Sequence, residues 1–345
     1  MMKQRNVGVD IAKALGIMMV VACHANFAPA SPFRFFHMAL FFFLTGWLST
    51  FESRFGSFVL AKFKHLYVPF VVCELAFLLL HYLLPIETGL FVASSMPLWE
   101  QLVRIVCFDN VEIMLSPLWF LPALFFVNLL CYGLICLWRN RPWLLFGISL
   151  LLMVVGLACG HQSWLQVPSL GFSNGVGVVL VAQFFCMGGY LLKRIDFRFD
   201  KWYLALIGLC YLYAAKLWLG LSVDMRVNQY SHVALWLLSV CAGVYLTMWL
   251  AERLAAIRGG QTVTARALAF TGRQSLLILM LHIFCFKLVG LIQVHCLNYA
   301  PSRLPLWGNL SDVWYWTLAY TAAGVLIPLV PALIFTLFPG FKQEI

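Results

Sequence analysis

Apolar runs recur along the whole chain, each close to the roughly 20 residues an α-helix needs to cross a bilayer core of about 30 Å. Ten lie near residues 11–28, 35–51, 66–84, 117–138, 143–160, 175–192, 202–220, 230–250, 270–291 and 313–338. Short polar connections separate them. The pattern predicts an all-α polytopic membrane helix bundle of about ten transmembrane helices, with residues 1–345 forming a single transmembrane domain. The longest connection, about 85–116, is the candidate for an ordered loop or a short interfacial helix. Pro69 and Pro117 are placed in the first turn of the third and fourth spans, where a missing backbone N–H is tolerated. A glycine-rich stretch, Gly171 to Gly177, leads into the sixth. No repeat of fixed period is visible.

Against this background the ionisable residues inside spans stand out, because a charge in the membrane is costly and usually functional. Lys13 and His24 lie eleven positions apart on the first span. At 3.6 residues per turn they fall within roughly 20° of one face and about 16 Å apart along the axis. Asp10, three residues before Lys13, shares that face and either pairs with it or favours the helix N-terminus. The predicted stripe joins the cytoplasmic rim to the middle or far half of the membrane. Lys13 alone could also snorkel to the interface.

Other positions qualify on similar grounds. His37 is expected at the outer mouth of the second span, either contacting a substrate or orienting His24. Glu74 is an acid deep in the third span and needs a partner, either Lys13 or a histidine. Ser275 and His282 are seven apart on one face of the ninth span, forming either a polar packing seam or substrate contacts. Trp119 is either an interfacial anchor or the wall of a pocket. Lys216 and Lys287, near span ends, are expected to snorkel. Thr45 and Gly46 are expected to allow close helix approach.

Composition agrees with the pattern: 63% of residues are hydrophobic and 10% charged, against about 25% charged in soluble domains. The net charge of +10 does not point to nucleic acid, because its distribution accounts for it. With a cytoplasmic N-terminus, 16 of the 23 Lys and Arg residues fall in cytoplasmic segments, four (Arg34, Arg104, Arg226, Arg303) fall outside, and three lie in spans. That asymmetry fits the positive-inside rule with both termini in the cytoplasm. The first span lacks a small-residue cleavage site and carries Asp10 and Lys13, so it reads as a retained helix rather than a signal peptide. Of the eleven cysteines, most sit in predicted spans and read as small apolar residues. No Cys/His spacing suggests a metal site.

Several motifs together resemble the acyltransferase-3 group of integral membrane acyltransferases, and most of all its fucose 4-O-acetylase-like branch. An acid, a basic residue three positions later and a histidine eleven beyond it open the first span (Asp10, Lys13, His24). Phe36-His37-Met38 leads into Phe41-Phe42-Phe43-Leu44-Thr45-Gly46, similar to the family's F-H-M-P-L-F-F-F-x-S-G. Tyr67-Val68-Pro69-Phe70 follows a basic entry to the third span. Pro117-Leu118-Trp119-Phe120-Leu121 is similar to an L-W-F-L element, and Gly272-Arg273-Gln274-Ser275-Leu276 with His282 to a late G-x-x-S-L…H element. The chain departs from the pattern at Lys13, usually arginine, at Ala39, usually proline, and at Thr45, usually serine. Lysine keeps the charge but loses the planar fork that grips phosphate.

The resemblance implies a membrane-bound O-acyltransferase of the bacterial inner membrane. It would move an acyl group, usually acetyl from acetyl-CoA and without a metal, to a hydroxyl of a cell-envelope polysaccharide or lipid-linked sugar. It places His24 and His37 as catalytic candidates, Lys13, Asp10 and Trp119 toward the cofactor, and Glu74, Ser275 and His282 toward the acceptor. A sugar hydroxyl needs a general base within hydrogen-bond reach, and histidine suits neutral pH. The partners implied are acyl-CoA, the glycan acceptor and membrane lipid, with no nucleic acid. Two other classes compete. A transporter or flippase for a lipid-linked sugar would favour internal repeats and broken helices. A glycan polymerase would favour large outer loops.

Overall fold

The computed structural model describes residues 6–84, 90–92, 96–159, 175–301, 304 and 306–337. The expected residues Lys3, Arg5, Arg303, Lys342 and 171–174 lie outside these. Among the described residues, thirteen α-helices follow one another: α1 (Val7–His24), α2 (His37–Leu48), α3 (Phe55–Lys62), α4 (Val68–Leu83), α5 (Leu98–Val106), α6 (Phe120–Trp138), α7 (Pro142–Cys159), α8 (Gly175–Arg194), α9 (Trp202–Leu217), α10 (Val233–Ala256), α11 (Val263–Arg273), α12 (Ser275–Leu297) and α13 (Trp314–Leu337). A small hairpin of β1 (Val223–Asp224) and β2 (Gln229–Tyr230) joins α9 to α10.

Among the described residues, eight helical stretches are long and apolar enough to cross a membrane. The other two expected spans correspond to shorter apolar helices, α2 and α9, of 12 and 16 residues. At 1.5 Å per residue these reach only about 18 and 24 Å, so the expected count of ten is met at full membrane length by eight. The third span differs from expectation. Helix begins at Phe55 rather than near 66 and runs to Leu83 through one wide turn at Phe63–Tyr67. Pro69 follows that turn. A proline cannot donate to the carbonyl four residues back, and a wide turn relieves the mismatch without ending the helix.

The two ends of the bundle have different chemistry. At one end the basic connectors interlock. Arg139 meets Glu52 at 3.0 Å, Arg194 donates to the Arg139 carbonyl, and Arg253 donates to the Asp200 carbonyl at 3.0 Å. At the other end, Tyr213 reaches the Pro29 carbonyl, Asn26 reaches Asp312, and Asn228 reaches the Gly156 carbonyl. α5 lies in the long connection and exposes Leu98, Trp99, Leu102, Val103 and Val106 while burying Gln101 and Ile105. Its one-sided apolar surface is that of an interfacial helix.

Small residues set the tightest packing. A Cβ at Gly46 would stand 1.7 Å from the Cys186 carbonyl oxygen, and one at Gly189 would stand 2.1 Å from that of Phe43. α2 and α8 therefore touch backbone to backbone, and the Thr45–Gly46 pair serves close approach. Gly272 does the same for α11, where a Cβ would meet the Asp10 carbonyl oxygen at 1.8 Å. That contact sets α1 beside the start of α12, with Lys13 near Ser275 and His24 near His282.

Candidate active site

His24 is the last residue of α1, and His282 lies one-third of the way along α12. Their rings stack with centroids 5.0 Å apart, and His24 Nδ1 lies 2.9 Å from His282 Nε2. The backbone fixes which atom donates. His282 Nδ1 faces the carbonyl oxygens of Ile278 (3.0 Å) and Leu279 (2.9 Å). Carbonyls only accept, so this nitrogen carries the proton. In the neutral pair His282 Nε2 is then an acceptor, and His24 Nδ1–H donates to it. The remaining lone pair of His24 is at Nε2, which has no hydrogen-bond partner among the described residues. A histidine held by a second group, with its far nitrogen left free, is the arrangement of an oriented general base.

His24 lines a cavity of about 1090 Å³ at the hairpin end of the bundle, together with His37, Trp119 and Arg34. His37 opens α2, and its Nδ1 donates to the Phe33 carbonyl at 2.9 Å. The ring is therefore turned by its own preceding turn, and the histidine hydrogen-bonded to His24 is His282. Trp119 ends a short 3-10 helix, Ile113–Trp119, and packs edge-on against Phe120. Arg34, from the segment between α1 and α2, donates to the Cys23 carbonyl at 2.9 Å and so holds the end of α1 that carries His24.

A second cavity of about 260 Å³ lies toward the other end of α1. Lys13 lines it with Lys62 and the hydroxyl-bearing Thr45, Ser49 and Ser275. Its polar side chains are all able to donate hydrogen bonds, and no carboxylate is among them. Val20, Met38 and Leu279 wall both cavities, so the two adjoin. The stripe read from spacing on the first span thus has Lys13 lining one chamber and His24 lining the other.

A family model described as an acyltransferase domain matches residues 6–335. The chain belongs to the acyltransferase-3 family. Neither the curated proteins nor the solved structures contain a match to it. A membrane acyltransferase needs a place for an acyl donor and one for an acceptor.

The remaining expected residues of this acyltransferase lie elsewhere. Glu74 is fully buried (0% exposed) and lines neither cavity. Its carboxylate accepts from the Asn110 amide at 2.6 Å and from the Val111 and Glu112 backbone N–H groups at 3.3 and 3.4 Å. Its partner is thus the connection before α6, not Lys13 or a histidine. Beside it, Glu112 bonds His81 at 2.6 Å, and burial pushes the Glu112 carboxyl above its usual range while His81 opposes the shift. Lys287 is 1% exposed rather than snorkelling. Its ammonium donates to the Leu90 carbonyl and sits 5.9 Å above the Phe91 ring. Asp10 is buried where α11 crosses α1 and lines neither cavity. Among the described residues no three His, Cys, Asp or Glu side chains gather as a metal site.

Sequence reasoning missed Arg34, Lys62, Lys216 and Arg226 as cavity residues. One signal was available for the arginines. Only four Lys or Arg fall on the outer side of the membrane in the expected topology, and Arg34 and Arg226 are two of them.

Proposed function

We propose that this acyltransferase moves an acyl group, acetyl by its resemblance to the fucose 4-O-acetylase-like branch, from acyl-CoA to a hydroxyl of a cell-envelope polysaccharide or lipid-linked sugar. The reading places it in a bacterial cytoplasmic membrane with both termini inside. The observation that carries it is the His24–His282 hydrogen bond, which leaves His24 Nε2 free in a chamber large enough for a sugar. Ligand pockets commonly hold about 300–1,000 Å³.

The donor supplies a thioester carbonyl. In the smaller chamber Lys13 and Lys62 offer point charges to its phosphates, and the neighbouring hydroxyls add hydrogen bonds. At about 260 Å³ the chamber admits a slender segment rather than a whole nucleotide, which suits a donor threaded toward His24. His24 Nε2 takes the acceptor's hydroxyl proton as the new C–O bond forms. It returns that proton to the departing sulfur as the C–S bond breaks. While His24 is positively charged, its Nδ1–H bond to neutral His282 becomes charge-assisted and strengthens. Trp119 walls the acceptor chamber. Glu74 and Asp10 act through structure, one holding the 110–112 connection and the other lying under α11.

The test combines purified protein with cells. Purified protein should hydrolyse acetyl-CoA slowly or be protected by it against heat. Envelope glycans from cells with and without the protein should differ by the mass of one acyl group. A transporter would do neither, and unaltered glycans together with indifference to acetyl-CoA would overturn the proposal.

A further inference from the structure

We infer that the acceptor is anionic: its reacting hydroxyl lies near a carboxylate or a phosphate, which Arg34, Lys216 and Arg226 receive in the chamber of His24. This rests on the acyl-transfer reading above and adds the acceptor's chemical class.

Three cations from three separate segments converge on this one chamber: Arg34 before α2, Lys216 near the end of α9, and Arg226 in the turn of the hairpin. Arg104, a described outer arginine that does not line the chamber, is paired with Glu100 at 3.1 Å and Asp109 at 3.8 Å. Lys216 and Arg226 instead have no side-chain hydrogen bond or ion pair among the described residues. The acid in the lining, Asp224, accepts the Arg226 backbone N–H at 3.0 Å. Basic residues are disfavoured on the outer side of a membrane, and Lys216 and Arg226 are both exposed, so their charged ends are open to an incoming anion.

The platform that carries Arg226 is built rather than loose. Asn228 takes the left-handed conformation at the end of the turn, with φ 56°, and donates to the Gly156 carbonyl at 2.8 Å. Tyr230 stacks on Trp236 with centroids 3.9 Å apart. The hairpin is thereby fixed to α7 and α10.

Arg34 and Arg226 also line the same chamber as His24. Two guanidinium groups oppose the positive charge that a general base acquires when it takes a proton. An anion bound between them and the imidazole cancels that repulsion, so the site is complete when an anionic acceptor occupies it.

The experiment uses full-length protein in phosphatidylcholine vesicles with acetyl-labelled acetyl-CoA. The acceptor is an envelope extract from cells lacking the protein, split at neutral pH on an anion exchanger into retained and flow-through pools. Label should enter the retained pool. The apparent KM for that pool should rise about 1.4- to fivefold in Lys216→Gln and in Arg226→Gln, the range expected for one exposed ion pair. It should recover in Lys216→Arg and rise with salt. Label that becomes water-soluble only after mild acid treatment of an organic extract assigns the phosphate of a lipid carrier. Label already in the aqueous phase assigns a charged glycan. Equal labelling of the flow-through pool, or wild-type KM in both glutamine variants, would overturn the inference while leaving acyl transfer intact. No label in either pool would overturn the acyl-transfer reading and this inference with it.

Discussion

Replacing His282 with alanine isolates what the histidine pair contributes, because His282 is placed to hold the base without touching the acceptor's reacting hydroxyl. The perturbation removes the acceptor of the 2.9 Å bond from His24 Nδ1. A hydrogen bond to a charged group is worth about 1.5–3 kcal/mol, and each 1.36 kcal/mol is tenfold in rate. The bond is strongest when His24 is protonated, in the transition state, so the loss belongs mainly to kcat. His282→Ala should lower kcat about 10- to 150-fold, with a much smaller change in the KM for acetyl-CoA. His282→Gln keeps an acceptor oxygen on a side chain of comparable reach and should lose less. The double variant His24→Ala/His282→Ala should be no slower than His24→Ala, since a helper has nothing to hold once the base is gone. The assay is transfer of labelled acetyl to envelope glycan, normalised to folded protein. Wild-type kcat in folded His282→Ala would refute the reasoning.

Further outcomes follow from other parts of the molecule. Lys13→Ala should raise the acetyl-CoA KM, Lys13→Glu should raise it further, and Lys13→Arg should keep activity through bidentate contact with phosphate; a titration of donor against each variant decides, and an unaltered KM in Lys13→Ala would remove Lys13 from the donor site. Glu74→Ala strands the Asn110, Val111 and Glu112 donors, at about 1–3 kcal/mol for each buried group left unpaired; thermal unfolding should register the loss, and an unshifted melting temperature would contradict the anchoring role. Reporter fusions after Arg141 and after Lys201 should read cytoplasmic and one near Asp109 external, and the opposite result at two of them would break the proposed topology.

Much of the bundle was legible because crossing a membrane imposes one length and one polarity on every span. Helix start and end were less so. Lys62, Lys64 and His65 look like a loop to a hydropathy reading, yet the backbone hydrogen bonds of α3 and α4 continue through them. The two-residue strands at Val223–Asp224 and Gln229–Tyr230 are too short to show alternation, so the hairpin that carries Arg226 left no periodic trace. Helical spacing put Lys13 and His24 on one face, and Ser275 and His282 on another. It could not say that those faces meet, because periodicity assigns a direction and not a neighbour. The decisive contact joins residues 258 positions apart. Glu74 shows the converse: a buried acid was correctly seen to need partners, but they came from a connecting segment with no pattern of its own.

The central claim is that His24 is the base of an acyl transfer, and its most direct measurement is the rate of labelled acetyl transfer by His24→Ala at saturating acetyl-CoA and glycan. Loss of a general base commonly costs about 100- to 10,000-fold. Within that range, with folded protein and an undisturbed donor KM, the result agrees with the account; a rate near that of the wild type contradicts it.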